Sequence, residues 1–166
     1  MAGELEYLRR KALDIAVTTS NPMDRKLSVL PLFEDELVAI AHPKHPLRGR
    51  AHLKAADFSG ETLYVYEGQS RDLRRFEQSY FATHGPGRVE RVPLTEAIVG
   101  FVEAGFGLGI VTRWAVEPEL RARRLVALPL APGGLRRRWV AVTRLESTGQ
   151  DVVQAALAGL GKALRR

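Results

Sequence analysis

The sequence predicts an α/β protein, and three observations support this prediction. Segments with the apolar spacing of helices alternate with short strand-like apolar segments along the whole chain, which is the pattern of α/β folds. The 166 residues contain no internal repeat, no low-complexity tract and no long linker. Because 45% of the residues are apolar and 27% are charged, the chain can bury the core of one domain or of two small lobes.

The first helix and the first strand are predicted from their spacing. Residues 3–12 place apolar side chains on one helical face and basic side chains at the C-terminal end, where the helix dipole favours cations. Residues 14–18 form a short apolar strand. The polar residues that follow its end, Thr18, Thr19 and Ser20, lie where open α/β sheets bind ligands, at the carboxyl end of a strand.

An apolar segment and then a strand are predicted before the chain changes direction. Residues 27–33 are largely apolar, and residues 34–41 begin with acidic side chains and continue as an apolar strand. Pro43 and Pro46 follow, and because two prolines so close together continue neither a β-ladder nor a helix, we expect a turn there. Residues 54–57 predict a short helical turn.

The middle of the chain alternates strands with helices. Residues 62–66 and 88–92 predict strands, the first from its aromatic and β-branched content and the second from its alternating pattern. Residues 71–83 predict a helix with apolar residues three and seven positions apart, which Gly85 would end. Residues 95–104 predict another helix, followed at once by a glycine.

The last part of the chain repeats the same pattern. Apolar runs between glycines, prolines and charged residues predict strands, and Pro118 limits the length of one helix. The final helix has one apolar stripe and an acidic residue in its first turn. These predicted elements are a strand over 110–112, a helix over 114–121, strands over 125–130 and 139–143, and a helix over 149–164.

Composition excludes several classes of protein. The absence of cysteine excludes disulfide scaffolds, cysteine-ligated metals and thiol catalysis. No apolar run is long enough to span a membrane, and the N-terminus lacks the apolar core of a signal peptide, so we expect a cytoplasmic protein without membrane contact. The net charge is +6, but seven of the basic residues lie in 136–166 against two acidic ones. We interpret this excess as solvated surface rather than a DNA groove.

Known catalytic and cofactor motifs are missing from the sequence. The glycines of residues 105–109 follow a helix and precede a strand, which is the reverse of a dinucleotide-binding loop, so we interpret them as a helix end and a tight turn. His42 and His45 are flanked by prolines and have no carboxylate at a ligand spacing. No G-x-S-x-G elbow is present. The sequence therefore predicts no metal, no cofactor and no catalytic residue.

The remaining candidates are polar residues where strands end and helices begin. Helix N-termini are predicted near Ser70 and Thr95, and their free N–H groups could hold a small anion such as a carboxylate, with Arg71 as the charged partner. Each hydroxyl taken alone is more simply a turn or capping residue, whereas the set together favours binding. The predicted effector-binding residues are Thr18, Thr19, Ser20, Tyr66, Gln69, Ser70, Arg71, Thr95 and Thr112.

Three motifs in their order along the chain resemble a known family. Residues 32–38 (LFEDELV), His45-Pro46-Leu47 and residues 104–110 (AGFGLGI) are similar to the effector-binding domain of LysR-type transcriptional regulators. Residues 61–66 (ETLYVY) are most similar to the methionine-biosynthesis regulators of that family, whose coinducer is homocysteine. The resemblance covers essentially the whole chain.

This resemblance implies a type-2 periplasmic-binding-protein-like fold, in which two lobes are joined by two antiparallel crossover strands and hold an effector between them. Lobe I would consist of residues 1–40 with 140–166 and would be incomplete, because its opening strand–helix–strand unit is missing. Lobe II would be residues 41–139. The family's helix-turn-helix DNA-binding domain is also missing, so the chain is predicted to be truncated at its N-terminus.

The leading hypothesis is therefore an effector-sensing domain of a LysR-type regulator that catalyses no reaction. It would bind a small molecule, be a homodimer, and reach DNA only through a domain absent from this chain. Two other hypotheses remain open. One is a transferase or hydrolase that uses the same cleft for a small metabolite, and the other is a nucleic-acid binder that uses the basic run 136–138.

Overall fold

The computed structural model describes residues 4–19, 22–68 and 71–163. The chain forms two compact units, which are Met1–Asp35 with Arg137–Arg166 (unit 1) and Glu36–Arg136 (unit 2). Two strands, β2 (Leu27–Ala41) and β7 (Leu135–Arg144), each run from one unit into the other. The lobe boundaries predicted from the sequence, after residues 40 and 139, lie within these same strands and stay a prediction.

Unit 1 is a short antiparallel sheet with a helix on each face. In sequence order it contains α1 (Glu4–Arg9), β1 (Ile15–Thr18) and α5 (Asp151–Ala163). Strand β7 lies between β1 and β2, and its antiparallel register with β1 runs from Ile15 opposite Thr143 to Thr18 opposite Val140. A 3₁₀ turn over Leu145–Ser147 follows β7.

The alternation of side chains along β7 divides the core of unit 1 into two clusters, because successive residues of a strand point to opposite faces. One cluster, which includes Leu8 of α1, consists of Leu8, Ala16, Leu27, Val140 and Val142. The other includes two residues of α5 and consists of Leu32, Ala141, Val153 and Leu157. Each helix is therefore held to the sheet by its apolar face.

Unit 2 has a mixed sheet. The C-terminal half of β2 pairs antiparallel with β5 (Leu108–Thr112) and with β6 (Val126–Pro129). Strand β3 (Thr62–Tyr66) pairs parallel with both β5 and β4 (Arg88–Val92). The carboxyl ends of β3, β4 and β5 consequently meet at one edge of the sheet, which we call the carboxyl edge of unit 2.

The helices of unit 2 are α2 (Arg71–Tyr80), α3 (Thr95–Glu103) and α4 (Glu117–Arg121), with 3₁₀ turns over Pro46–Gly49, Ala55–Phe58 and Arg113–Val116. One core cluster is centred on fully buried Phe58, with Leu73, Phe76 and Tyr80 of α2 packed against it. A second cluster joins Ile98 and Val102 of α3 to strands β2 and β5. The sheet is thus covered on both faces.

Several predicted elements differ from the structure: α1 ends at Arg9 rather than at residue 12, and β7 begins at Leu135 rather than at residue 139. Three further differences have a clear physical reason. The strand predicted over 34–41 begins earlier, at Leu27, and is 15 residues long, because the charged residues at its centre interrupt the apolar pattern but not the backbone. Helix α2 ends at Tyr80 and Gly85 has no positive φ, so Gly85 is not its cap. The helix predicted over 114–121 is a 3₁₀ turn followed by α4, because Pro118 lacks an N–H and favours the start of a new helix.

Tyr80 predicts how the stability of the protein changes at alkaline pH. Its hydroxyl donates a 2.6 Å hydrogen bond to the carbonyl of Leu53, and burial, helped by the nearby Asp57 carboxylate, raises the pKa of Tyr80 to about 12. The folded state therefore holds the phenolic proton more tightly than the unfolded chain, whose tyrosine pKa is about 10. This contribution to stability should be complete below about pH 10 and lost as the pH rises from about 10 to 12.

Urea unfolding at several pH values tests this expectation. Tyr80→Phe should unfold more easily at pH 8, by about 1 kcal/mol for the lost hydrogen bond, and should lose less stability than the wild type above pH 10. Tyr7→Phe, which changes an exposed tyrosine, should keep the wild-type pH dependence. An equal alkaline loss in Tyr80→Phe and the wild type would contradict the assignment.

Candidate functional site

The carboxyl edge of unit 2 brings together three of the predicted residues. Tyr66 is the last residue of β3 and lies opposite Val92, the last residue of β4. The main-chain N–H of Glu67 continues this pairing with a 2.9 Å bond to the carbonyl of Val92. Val65 of β3 lies opposite Ile110 of β5 in the parallel pair. Thr112, two residues further along β5, is therefore level with Glu67, the residue after Tyr66.

Tyr66 is positioned by the glycine that follows it. A Cβ atom built on Gly68 would lie 2.6 Å from Cε1 of Tyr66 and 2.8 Å from its hydroxyl oxygen. The ring therefore rests against the backbone of Gly68, while 42% of the residue stays exposed to solvent. An aromatic ring with a free polar end is well suited to contact a small ligand that has both apolar and polar parts.

The N-terminus of α3 supplies hydrogen-bond donors at the same edge. Thr95 is the first helical residue, and the capping position before it is Leu94, whose extended backbone carries no side chain able to cap the helix. The first N–H groups of a helix have no partner within the helix, and they form the positive end of its dipole. An anion is therefore favoured beside Thr95.

Thr112 and Arg113 complete the edge. Thr112 ends β5 opposite Leu37 of β2, and it is partly exposed. The next residue, Arg113, lies 3.8 Å from an oxygen of Glu36 and 3.9 Å from one of Glu117. Its guanidinium is half exposed, so these carboxylates orient it loosely and contribute little to stability.

The other predicted residues are placed elsewhere or lie outside the described part of the chain. Thr18 is buried at the end of β1 in unit 1, and Thr19 follows it, partly exposed. Ser20, Gln69 and Ser70 lie outside the described residues.

For Arg71 only the backbone is described, as the first residue of α2. The shared edge thus comprises Tyr66, Thr95 and Thr112, all in unit 2. Sequence reasoning missed the roles of Gly68 and Leu94. Two signals in the sequence could have indicated these roles. One is a glycine two residues after a strand that ends in an aromatic residue, and the other is a leucine where a helix-capping residue was expected.

The glycines and histidines that resembled cofactor or metal motifs have local structural roles. Gly105 ends α3 with a φ of +81°, which confirms the interpretation as a helix end. Nδ1 of His42 accepts the N–H of Lys44 at 3.1 Å, and Nδ1 of His45 accepts that of Leu47 at 3.3 Å. Among the described residues, no three metal-ligating side chains come together, and no helix has the length and apolar character needed to cross a membrane.

The run 136–138 does not form one exposed basic surface. Arg138 pairs with Glu34 at 3.2 Å. Arg137 points the opposite way along β7 and is partly buried, and burial lowers the pKa of its guanidinium, against the opposing effect of Asp35. Arg136 and Arg138 are exposed and Arg137 is partly buried, and the nucleic-acid hypothesis stays a prediction.

Comparison with known proteins identifies the class to which this fold and edge belong. The family model of the LysR substrate binding domain matches residues 2–165, and the chain belongs to this family. The RuBisCO operon transcriptional regulator of Allochromatium vinosum is 28% identical over 142 residues, which are 84% of this chain and 47% of that protein. The MetR regulator of Escherichia coli is 25% identical over 135 residues, 81% of this chain and 43% of that protein.

The chain thus spans about half the length of these curated relatives, which are transcriptional regulators. Its similarity extends to MetR, as the sequence predicted, and at slightly higher identity to the RuBisCO operon regulator. This similarity therefore does not favour the methionine-biosynthesis regulators over the RuBisCO operon regulators.

Solved structures confirm the predicted fold class, a type-2 periplasmic-binding-protein-like α/β fold. The regulatory domain of MetR from Neisseria meningitidis superposes with a TM-score of 0.82 at 25% identity, covering 98% of this chain and 76% of that one. The regulatory domain of Synechocystis CcmR, in complex with 2-PG, gives a TM-score of 0.77 at 21% identity, covering 98% and 78%. At 21% identity, the similarity to CcmR indicates a shared fold only.

Proposed function

We propose that this chain senses a small anionic metabolite for a LysR-type transcriptional regulator and that the carboxyl edge of unit 2 binds the anionic group. The observation that carries the proposal is the N-terminus of α3, where Leu94 provides no side-chain cap and Thr95 offers N–H groups beside the ends of β3 and β5. Tyr66 and Thr112 would then contact the remainder of the ligand.

The proposed effector is a carboxylate-bearing molecule, with an amino acid such as homocysteine as the first candidate. A helix N-terminus stabilises an anion by about 0.3–1 kcal/mol at an exposed site and by up to about 2 kcal/mol at a partly buried one. Gln69, Ser70 and Arg71 directly follow the end of β3 in sequence, and we propose that they contribute further polar contacts. In unit 1 we propose Thr18, Thr19 and Ser20 as effector contacts.

We propose further that the whole protein regulates transcription as a cytoplasmic homodimer whose DNA contacts lie outside these 166 residues. The relatives named as transcriptional regulators are about twice as long as the matched region. Effector binding needs only to favour one conformation over another, and a coupling of about 1–3 kcal/mol is typical of such switches. No reaction is required, and no contact among the described residues of unit 2 favours the transferase or hydrolase hypothesis.

A thermal-shift screen tests the proposal. The panel contains homocysteine, other thiol amino acids, small carboxylates, and the 2-PG and shikimate seen with two structures of the same fold. At 100 times its Kd, a ligand adds about 2.7 kcal/mol of stability, which should raise the Tm of a chain of this size by roughly 5–11 °C. We expect at least one carboxylate to do so.

The uncharged amides of the same compounds are the matched controls, and they should give much smaller shifts. A flat panel on folded protein would contradict the proposal. Incubation of every stabilising ligand with the protein, followed by mass spectrometry, separates sensing from the enzyme hypothesis: unchanged ligand is expected, and turnover would refute the sensing role.

A further inference from the structure

Unit 1 contains a cleft of about 870 Å³ that is rich in basic side chains. It is lined at the end of α1, along the chain before β2 and at the end of β7. Its volume falls within the range of roughly 300–1,000 Å³ that is typical of metabolite sites. The lining residues are Arg9, Lys11, Asp24, Arg25, Lys26, Leu27, Arg144, Leu145 and Glu146, so five cations face two carboxylates.

This basic cleft is separate, within unit 1, from the threonines proposed as effector contacts. It lies at the end of β1 where Ile15 is opposite Thr143, next to Arg144 of the cleft. Thr18 is at the other end of β1, opposite Val140. At about 3.3 Å per residue, these two ends are about 10 Å apart along the strand.

Carboxylates hold Arg9 and Lys11 in place. Two nitrogens of Arg9 donate to one oxygen of Asp24 at 3.1 and 3.2 Å. Nζ of Lys11 lies 3.0 Å from Glu146. The main-chain N–H of Lys26 and the guanidinium of Arg9 hold the pKa of Asp24 below its usual value, and Lys11 lowers the pKa of Glu146 in the same way. These carboxylates therefore stay ionised and orient the two cations, although both cations are at least half exposed and the pairs contribute little to stability.

Arg144 forms the most rigid wall of the cleft. Its guanidinium donates to the carbonyls of Leu8 and Leu13 and to Asp14, at 3.2, 2.5 and 2.6 Å. Only 12% of its side chain is exposed. Lys11 and Arg144 both face Glu146, at 3.0 and 3.7 Å. Lys11 has a φ of 59°, a conformation that costs a residue other than glycine about 1 kcal/mol. Arg144 is the last residue of β7, and Lys11 lies two residues after the end of α1.

Arg25 and Lys26 are the two remaining cations. Both are exposed, and neither forms an ion pair with another described residue. The main chain around them is fixed, because the N–H of Lys26 donates to Asp24 at 3.0 Å and its carbonyl accepts the N–H of Leu145 at 2.8 Å. Two adjacent positive side chains on a fixed backbone at a cleft suit a ligand with several negative charges.

We propose that this cleft binds a small phosphorylated metabolite, with Arg25 and Lys26 contacting the phosphates. The cleft also offers apolar surface for the body of such a ligand, because Leu145 is 59% exposed within its lining. Phosphate is favoured over a single carboxylate because it carries more charge and accepts hydrogen bonds from both the Arg fork and the Lys ammonium. The site is additional to the effector site at the carboxyl edge of unit 2.

Calorimetric titration of the 166-residue protein with ATP, pyrophosphate and adenosine tests the proposal. ATP should bind with one-to-one stoichiometry, pyrophosphate should compete with it, and adenosine should bind at least tenfold more weakly. The double variant Arg25→Ala with Lys26→Ala should weaken ATP binding at least tenfold. Because both side chains are exposed, its circular dichroism and melting curve should match the wild type.

The matched control is Arg74→Ala with Arg75→Ala, which removes the same charge from exposed positions of α2 in unit 2. It should change ATP affinity by less than twofold, and so should Thr95→Pro in the proposed effector site. Absence of ATP binding by the wild type, or equal weakening by both double variants, would overturn the proposal. Displacement of ATP by equimolar duplex DNA would do so too, because the ligand would then be a nucleic-acid backbone.

Discussion

Gly107→Ala should destabilise the protein by about 3 kcal/mol, among the largest losses expected from any single methyl group in this chain. Gly107 has a φ of +152°, and a Cβ atom placed there would overlap the carbonyl oxygen of Thr62 and lie 3.1 Å from its carbonyl carbon. The obstructing atoms are backbone at the start of β3, which pairs with β5 directly after the glycine. Removing this overlap would therefore require β3 and β5 to separate.

Gly100→Ala is the control for this prediction. Gly100 lies within α3, and a Cβ atom placed on it would have no neighbouring atom within 4 Å, so alanine should stabilise the helix by about 0.5–1 kcal/mol. Urea unfolding midpoints of the two variants should move in opposite directions. Wild-type stability of Gly107→Ala would show that the β3–β5 contact is not as close as the structure has it.

Arg144→Met should cost about 1–3 kcal/mol. The substitution keeps most of the side-chain volume, but it leaves the carbonyls of Leu8 and Leu13 and the carboxylate of Asp14 without their shared donor. Most of the loss should come from the carbonyl of Leu8, because Leu8 is fully buried and an unsatisfied group that is shielded from water is costly. Asp14 is 68% exposed, so water can replace its lost partner. The substitution should also loosen the C-terminal end of α1, where Leu8 lies.

Arg138→Met is the matched control for Arg144→Met, since it changes the same residue type in the same strand. Arg138 pairs with Glu34 at 3.2 Å, but 64% of its side chain is exposed, and exposed ion pairs contribute about 0–1 kcal/mol. Chemical unfolding of both variants measures the difference. Similar free energies of unfolding for the two would contradict the role assigned to Arg144.

Local sequence patterns predict most of the fold because its elements obey local rules. The strands over 62–66 and 88–92 are confirmed to the residue, since prolines, glycines and charged residues bound each apolar run. The pattern fails where tertiary pairing overrides it: β2 continues through three acidic residues because it pairs in both units. The alternation of helices and strands predicts the α/β class, and the family resemblance supplied the particular fold within it, the type-2 periplasmic-binding-protein-like fold.

The candidate site is only partly predictable for a related reason. Strands β3, β4 and β5 are parallel, so residues at or just after their carboxyl ends meet at one edge of the sheet. This is enough to place Tyr66, Thr95 and Thr112 together. The basic cleft of unit 1 was missed because its walls come from three distant segments, and Arg9, Lys11 and Arg144 join only after the chain folds. Its sole local signal was the adjacent pair Arg25-Lys26, which is indistinguishable from ordinary solvated surface in a basic chain.

The measurement that tests the sensing role most directly is calorimetric titration of the stabilising carboxylate into the wild type, Thr95→Ala and Thr95→Pro. Proline is tolerated at the first helical position, and the extended backbone of Leu94 (φ −132°, ψ 135°) already suits a following proline. Thr95→Pro therefore removes a main-chain donor, whereas Thr95→Ala removes only the hydroxyl.

We predict that Thr95→Pro binds the ligand roughly five- to tenfold more weakly than the wild type, about 1–1.4 kcal/mol. Thr95→Ala should lie between the two, and the melting temperatures of the unliganded variants should stay close together. Wild-type affinity in both variants would contradict the account, because the anion would then be held somewhere other than the N-terminus of α3.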